Sequence, residues 1–107
     1  MFKLNDIKAN KGATLDKAGT PLTYKSGYQV SAEDLAIIPA YRLRKAYLID
    51  MLKAIPAGSC LGVWIDGGKA YIDRSARISN KRLALKVGRQ LNQISVWDWK
   101  ASEAIAC

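Results

Sequence analysis

Two kinds of side chain in this sequence have the chemistry and the spacing of binding residues. Cations recur at helical spacing in two segments, and large aromatic residues occur in two segments with the alternation of strands. Lys and Arg pair with phosphates and carboxylates, while flat rings stack on nucleobases or anchor protein interfaces. The candidate cations are Arg42, Lys45, Lys53, Arg82, Lys86 and Arg89, and the candidate aromatics are Trp64, Tyr71, Trp97 and Trp99.

The charge balance favours an acidic partner. Seventeen Lys and Arg residues stand against nine Asp and Glu residues, which gives a formal charge of +8 on 107 residues. On so small a surface this excess produces a positive potential that attracts a nucleic acid, a nucleoprotein complex or an acidic protein. Small basic proteins also use charge for solubility alone, so the charge by itself leaves both interpretations open.

Groups that catalyse reactions are scarce. The chain has no His, so the commonest general base at neutral pH and a frequent zinc ligand are missing. It also lacks the GxxxxGK[ST], GxSxG and GxGxxG motifs. A metal-dependent nuclease would need Asp66, Asp73 and Asp98 to converge, yet strand alternation places Asp73 and Asp98 on opposite faces. The sequence therefore predicts a non-enzymatic protein with no metal and no cofactor.

The cysteines and the hydropathy pattern predict a cytoplasmic protein. Cys60 and Cys107 lie far apart, without the CxxC spacing of zinc sites. No segment has the apolar length of a signal peptide core or a membrane span, so no membrane partner is expected. Both thiols are expected to be reduced, with Cys60 buried, although a bridge between the two is an alternative.

The apolar pattern predicts one domain over residues 12–107. Aliphatic and aromatic residues recur there in patterned runs, whereas residues 1–11 show no such pattern and are predicted to form a flexible arm. The domain is expected to begin with a hairpin. Its strands are predicted at residues 12–15 and 20–24, around a turn signal that ends at Gly19.

A strand near residues 28–30 and a short helix are predicted to follow the hairpin. Ser31 is a typical helix N-cap, and the two acidic residues soon after it suit the positive end of the helix dipole. Pro39 disfavours helical geometry in the residue before it, so this helix is expected to end near Ile38.

Two longer segments have the apolar periodicity of amphipathic helices. Residues 41–55 place their aliphatic side chains on one face, and residues 81–92 follow Ser79 and Asn80, both of which suit an N-cap. In each helix the cations collect on another face. These basic faces comprise Arg42, Lys45 and Lys53 in the first helix, and Arg82, Lys86 and Arg89 in the second.

A β-hairpin is predicted around Gly67-Gly68, because this pair supplies the positive φ angles of a two-residue turn. Strands over residues 60–66 and 69–74 flank the turn. A turn of this length fixes the register of the two strands, and hence the face on which each side chain lies. The predicted register pairs Trp64 with Tyr71 and Val63 with Ile72.

With further strands at residues 93–100 and 104–107, the chain is expected to form an α+β domain. Two main helices would cover one face of an antiparallel sheet, in the ferredoxin-like order βαββαβ preceded by the N-terminal hairpin. The helices are expected to cover Val63, Ile65, Ile72, Ile94 and Val96. The opposite face would carry Trp64, Tyr71, Trp97 and Trp99, together with Asp73.

The aromatic face has three possible uses. It can stack nucleobases, it can anchor a protein partner, or it can form a second core layer beneath Leu15, Leu22 and Tyr24 of the hairpin. The sequence GKAYID at residues 68–73 lacks the aromatic pattern of an RNA-recognition strand. Asp73 would also repel phosphate, so the sequence leaves the three uses open.

Several segments resemble small accessory proteins encoded by bacterial phages and other mobile genetic elements. They are GVWIDGGKAYID at residues 62–73, the helix after it, NQISVWD at residues 92–98, and GYQVS at residues 27–31, so the resemblance extends over residues 12–107. It implies a compact protein of the host bacterial cytoplasm that inhibits host defence, including restriction and CRISPR complexes. Many such inhibitors are acidic mimics of nucleic acid, and the +8 charge of this chain departs from that pattern.

The sequence as a whole favours a basic interaction or inhibitor protein. Its predicted target is a nucleoprotein complex or an acidic protein surface, bound through the basic helix faces and the aromatic sheet face. The alternative is direct binding of single-stranded nucleic acid through the same aromatics and cations. The sequence assigns no oligomeric state.

Overall fold

The computed structural model describes all residues, 1–107, and contains six β-strands, three α-helices and one 3₁₀ helix. This architecture confirms the predicted α+β class with an antiparallel sheet. The strands are β1 (Gly12–Leu15), β2 (Tyr28–Pro39), β3 (Cys60–Asp66), β4 (Lys69–Ile78), β5 (Ser95–Asp98) and β6 (Glu103–Ala106). The helices are α1 (Leu4–Asn10), α2 (Lys45–Ala54) and α3 (Lys81–Gln90), and the 3₁₀ helix is Ala40–Arg42.

All strands belong to one sheet of order β1-β3-β4-β2-β5-β6, in which every neighbouring pair is antiparallel. The β3–β4 hairpin has the predicted register, with Trp64 opposite Tyr71. Gly67 and Gly68 at its tip have φ angles of 55° and 77°, a region that favours glycine. Strand β4 continues beyond its predicted end to Ile78, which gives it room to pair with β2.

Strand β2 includes the segment predicted as a helix after Ser31, so that prediction is wrong. The segment pairs with β4 from Tyr28 to Pro39, and this ladder outweighs the N-cap and first-turn signals, which are local preferences. Register shifts leave Ala32 and Leu35 without partners in β4. These two bulges interrupt the alternation of apolar and polar residues, which is why the sequence does not show a strand pattern here.

Two other segments also differ from the prediction. Residues 20–24 do not form a second hairpin strand, since only Pro21 makes a β-bridge, to Leu15. Helix α2 begins at Lys45 rather than at residue 41, because the preceding Leu43 is extended and its side chain is fully buried.

Two hydrophobic clusters lie on the same face of the sheet. The smaller cluster packs α3 on β2 and β5 through Val30, Ala84 and Val96. Val30 lies opposite Ala76, which by alternation shares a face of β4 with Ile72 of the larger cluster. The other face of the sheet, here called the helix-free face, carries no α-helix. The larger cluster joins α1 and α2 to β1, β3 and β4, and its bulkiest members are Phe2, Leu15, Leu43, Leu48, Leu61 and Ile72.

Most residues predicted to lie beneath the helices do so, and Ile94 is the exception. Its side chain is 89% exposed. Strand β5 begins only at Ser95, so the alternation inferred for residues 93–100 does not extend back to Ile94. Val63, Ile72 and Val96 are buried, and Ile65 is partly buried against the larger cluster.

The N-terminal segment is packed against the domain, in place of the flexible arm predicted for residues 1–11. Phe2 and Ile7 are buried in the larger cluster, and the Phe2 N–H donates a hydrogen bond to the Gly19 carbonyl. A helix as short as α1 is marginal in isolation, so tertiary burial must stabilise it. Two buried side chains in so short a segment give too weak a periodic signal to be recognised in the sequence.

Replacing Phe2 by Ala is expected to lower the free energy of unfolding by about 3–5 kcal/mol, because it leaves a cavity in the larger cluster. The exposed Asn5 provides a control, and Asn5→Ala should change stability by no more than about 0.5 kcal/mol. Urea denaturation measures both values. Equal stability of the two variants would show that the N-terminal segment does not contribute to the core.

Candidate binding surfaces

Helix α3 presents a stripe of cations to solvent. Its sequence, KRLALKVGRQ, contains no acidic residue, and Ala84 and Gly88 face the core. Arg82, Lys86 and Arg89 are exposed, and helical geometry places them within about 60° of one another around the axis and about 10 Å apart end to end. These three residues are called the α3 cationic stripe below.

Local interactions hold α3 in place. The Asn80 side chain accepts a hydrogen bond of 2.9 Å from the Leu83 N–H and so caps the helix. Gly88 allows close packing, since a Cβ there would lie 2.7 Å from Cys107 Sγ and 3.1 Å from Val96 Cγ1. The first turn nevertheless begins with Lys-Arg, although the dipole favours acids at that end. Lys81 and Arg82 are therefore not placed for helix stability, whereas Arg89 in the last turn suits the dipole.

The cations of the stripe have no carboxylate partners within the chain. The one ion pair in the structure joins Arg74 Nε to Glu33 Oε2 at 3.2 Å. Consequently none of the six cations proposed from the sequence has a carboxylate within 4 Å. Their charges are open to solvent and to a partner.

The first basic group is dispersed, unlike the stripe. Arg42 lies in the 3₁₀ helix outside α2, so the prediction that Arg42, Lys45 and Lys53 share one helical face is wrong. The Lys45 ammonium lies 5.9 Å from the centre of the Phe2 ring, and Lys53 is at the opposite end of α2, about 12 Å away along the axis. The three side chains are exposed but form no continuous surface.

The aromatic residues of the helix-free face divide into two groups. In the first group Trp64, Tyr71 and Ile37 lie side by side on β3, β4 and β2, with exposed fractions of 55%, 37% and 61%. The second group contains Trp97 and Trp99. Gln29 lies opposite both Arg77 of β4 and Trp97 of β5, so the second group is level with Arg77. Arg77 and Tyr71 are six residues apart on β4, which separates the two groups by about 20 Å. The four predicted aromatics therefore do not form one stacking platform.

The second aromatic group is half buried. The Trp99 ring makes edge contacts with Trp97 and Tyr24, with centroid separations of 6.4 and 5.5 Å. Its Nε1–H donates a 3.1 Å hydrogen bond to Gln29 Oε1. Tyr24 therefore covers this end of the face, as one of the three interpretations expected. Leu15 instead enters the larger cluster on the helix side.

The exposed aromatic group lies beside two carboxylates. Asp34 and Asp73 are opposite each other in the β2–β4 ladder. On the helix-free face they lie next to Ile37 and Tyr71, which also pair with each other. Burial raises the pKa of Asp73, and the charge of Asp34 raises it further, while the Ser31 hydroxyl and the Gly62 N–H oppose the shift. Carboxylates in this position repel phosphate and attract cations.

The sequence pattern did not indicate Asp34 and Ile37 as site residues. It assigned them to a helix, in which they would not line a sheet face beside Asp73 and Tyr71. The only sequence signal for an exposed strand was the pair Ile37-Ile38 ahead of Pro39, because β-branched residues favour strands and Pro is tolerated at their ends.

The aspartates considered for metal chemistry are dispersed. Asp66 is at the β3–β4 turn, Asp73 is within β4, and Asp98 lies opposite Tyr28. The Asp98 carboxylate accepts hydrogen bonds from the backbone N–H groups of Lys100 and Ala101 and so stabilises the turn after β5. No three side chains among His, Cys, Asp and Glu are grouped as metal ligands.

Cys60 is buried and Cys107 is half buried, and both are free thiols. None of the helices combines the length and the apolar character that a membrane span requires. Comparisons with protein-family models, curated proteins and solved structures found no match.

Two tryptophan variants distinguish the aromatic groups. Trp64→Ala is expected to change the free energy of unfolding by less than about 1 kcal/mol, because more than half of the residue's surface is exposed. Trp99→Ala should cost at least about 2 kcal/mol, because it removes two ring contacts and the hydrogen bond to Gln29. Thermal and urea unfolding measure both, and equal losses would contradict the division of the face.

Asp73 should make stability depend on pH. In the folded protein the pKa of Asp73 is raised above its ordinary value of 3.8. The free energy of unfolding therefore decreases as the pH rises from 3.8 through the raised pKa. At pH 7 the charged Asp73 carboxylate lowers the stability. Asp73→Asn is expected to raise the free energy of unfolding at pH 7 and to remove this decrease. Urea unfolding at several acidic pH values measures this dependence for the Asp73→Asn variant. Asp50→Asn, at an exposed position, is the control. A stability loss at pH 7 would contradict the interpretation.

Proposed function

We propose that this protein is a non-enzymatic binding protein that attaches to an acidic macromolecule through the α3 cationic stripe. The observation that carries the proposal is an acid-free helix whose outward Arg82, Lys86 and Arg89 lack carboxylate partners in the chain. Cations that balance acidic neighbours would be paired, whereas these are arranged along one line. Each contact with a phosphate releases bound counterions, so such a stripe gives salt-dependent affinity.

The partner that suits this surface is a nucleoprotein complex or an acidic protein. Leu83 is half exposed beside Lys86 on α3, and an apolar side chain next to cations suits a protein-containing surface better than a bare phosphate backbone. Direct binding of single-stranded nucleic acid on the sheet is the second candidate, supported by the exposed Trp64 and Tyr71. Asp34 and Asp73 oppose it, because they would repel the phosphates of a strand stacked there.

The strand order supports a ferredoxin-like fold, and the free thiols support a cytoplasmic location. The order β3-β4-β2-β5, with α2 and α3 on one face, supports a ferredoxin-like classification of this part of the sheet. Free Cys60 and Cys107 are compatible with the reducing cytoplasm. The resemblance to phage and mobile-element proteins favours a host-defence complex as the target. Protection of phage from restriction or CRISPR interference by the expressed protein would test that role.

A triple variant tests the cationic stripe. Arg82→Gln, Lys86→Gln and Arg89→Gln together are expected to reduce the slope of log Kobs against log salt by about 2–3, one unit for each lost contact. The probes are a DNA duplex of about 20 base pairs, an RNA of about 20 nucleotides and a poly-Glu peptide. Fluorescence anisotropy at several salt concentrations measures the affinity for each.

The matched control removes the same charge elsewhere, through Arg42→Gln, Lys45→Gln and Lys53→Gln. Equal losses in both triple variants would mean that net charge, and not the stripe, drives binding. Binding of none of the three probes at low salt would contradict the proposal. Strong binding of the RNA alone, lost in Trp64→Ala, would favour the second candidate.

A further inference from the structure

Strand β2 has a long open edge. Strand β4 pairs with it along its whole length on one side, while β5 pairs on the other side only at Tyr28 and Gln29. Residues 31–39 therefore have no strand beside them on the β5 side. They pair with residues 69–75 of β4, so this open edge is about 20 Å long. Alternate residues of a strand direct their N–H and C=O groups to each side, so unpaired backbone groups line this edge.

Long open edges are unusual in folded proteins, because they are templates for pairing with another chain. Natural edges are protected by short length, charge, bulges or proline. This edge has the bulges at Ala32 and Leu35, the acidic Asp34 and a terminal Pro39, but it is longer than a typical strand. It also exposes Ile37, whose side chain is 61% accessible.

Two rows of side chains on the helix-free face end at this edge. One row is apolar and runs from Trp64 through Tyr71 to Ile37. The other is acidic and runs from Asp73 to Asp34. The two rows are adjacent, because Tyr71 and Asp73 are two residues apart on β4. On β2 only the bulged Leu35 and Ala36 lie between Asp34 and Ile37. A strand added beside β2 would extend both rows by one side chain each.

We propose that this edge binds an extended segment of a partner protein by strand addition. The segment places an apolar side chain beside Ile37 and a Lys or Arg beside Asp34, two positions apart on the same face. Backbone hydrogen bonds supply the attachment, and the two rows supply the preference for sequence. This surface is distinct from the α3 cationic stripe and has the opposite charge.

Charge argues for a basic segment. Glu33 is already paired with Arg74, whereas Asp34 and Asp73 face each other with no cation within 4 Å. Two like charges directly opposite each other destabilise a sheet, and an added cation relieves the repulsion. A second copy fits less well, because antiparallel pairing of two β2 edges would bring the acidic Asp34 of both copies onto one ladder.

Binding of a defined peptide tests the proposal. The probe is a peptide of about ten residues in which Ile and Lys alternate with Thr, and its control has the neutral Gln in place of Lys, so that the control does not bind the α3 cationic stripe through its charge. The Lys peptide is expected to bind at least about tenfold more tightly by fluorescence anisotropy. Hydrogen exchange should slow at alternate amides within residues 31–38 when the peptide is bound, because the N–H groups that face the open edge gain partners.

Variants of the protein locate the contact. Asp34→Lys should weaken binding of the Lys peptide at least about tenfold, whereas Asp50→Lys, the same charge change at an exposed position of α2, should not. Ile37→Thr should weaken it, and Ile94→Thr, at a more exposed isoleucine, should not. The α3 triple Gln variant should bind the peptide normally, so failure of this inference and failure of the proposed function are distinguishable.

Four results would each overturn the inference. They are equal binding of the Lys and Gln peptides, equal effects of Asp34→Lys and Asp50→Lys, exchange protection outside residues 31–38, and a dimer of the protein alone that Ile37→Thr dissociates. The last result, measured by sedimentation, would make a second copy the occupant of the edge. Circular dichroism checks that each variant is folded before binding is measured.

Discussion

The pairing of β2 with β4 is the interaction on which the remaining structure depends. It extends from Tyr28 to Pro39 and joins the β1-β3-β4 side of the sheet to the β5-β6 side. Because β4 is also the second strand of the tight Gly67-Gly68 hairpin, the register of that turn is transmitted to β2. The pairing thus aligns side chains from three strands on each face.

Both candidate surfaces are consequences of this pairing. On the helix side, β2 carries Val30 beneath α3, which holds the cationic stripe outward. On the helix-free side, the same ladder places Ile37 beside Tyr71 and Asp34 beside Asp73. The protein therefore carries a basic helix on one side and an acidic, partly apolar strand edge elsewhere. Two surfaces of opposite charge suit a protein that bridges partners or makes two contacts with one assembly.

The position of the acids also affects which surfaces of this protein of charge +8 can attract a polyanion. Net charge attracts polyanions to the whole surface, but Asp34 and Asp73 make the exposed aromatic row unfavourable for phosphate. The stripe on α3 has no such obstacle. In the proposed binding mode, acidic partners are directed to the helix, although Trp64 and Tyr71 are the more conspicuous residues in the sequence.

The sequence by itself determined the elements governed by local rules. The Gly67-Gly68 turn fixed the β3–β4 register, Asn80 capped α3, and the spacing of Arg82, Lys86 and Arg89 placed them on one outward face, because turns, caps and helical period depend on neighbours in the chain. The tertiary structure alone decided what depends on distant partners. It made residues 31–38 a strand, packed Phe2 into the core and separated Trp64 from Trp97, because long-range pairing and burial outweigh weak local preferences.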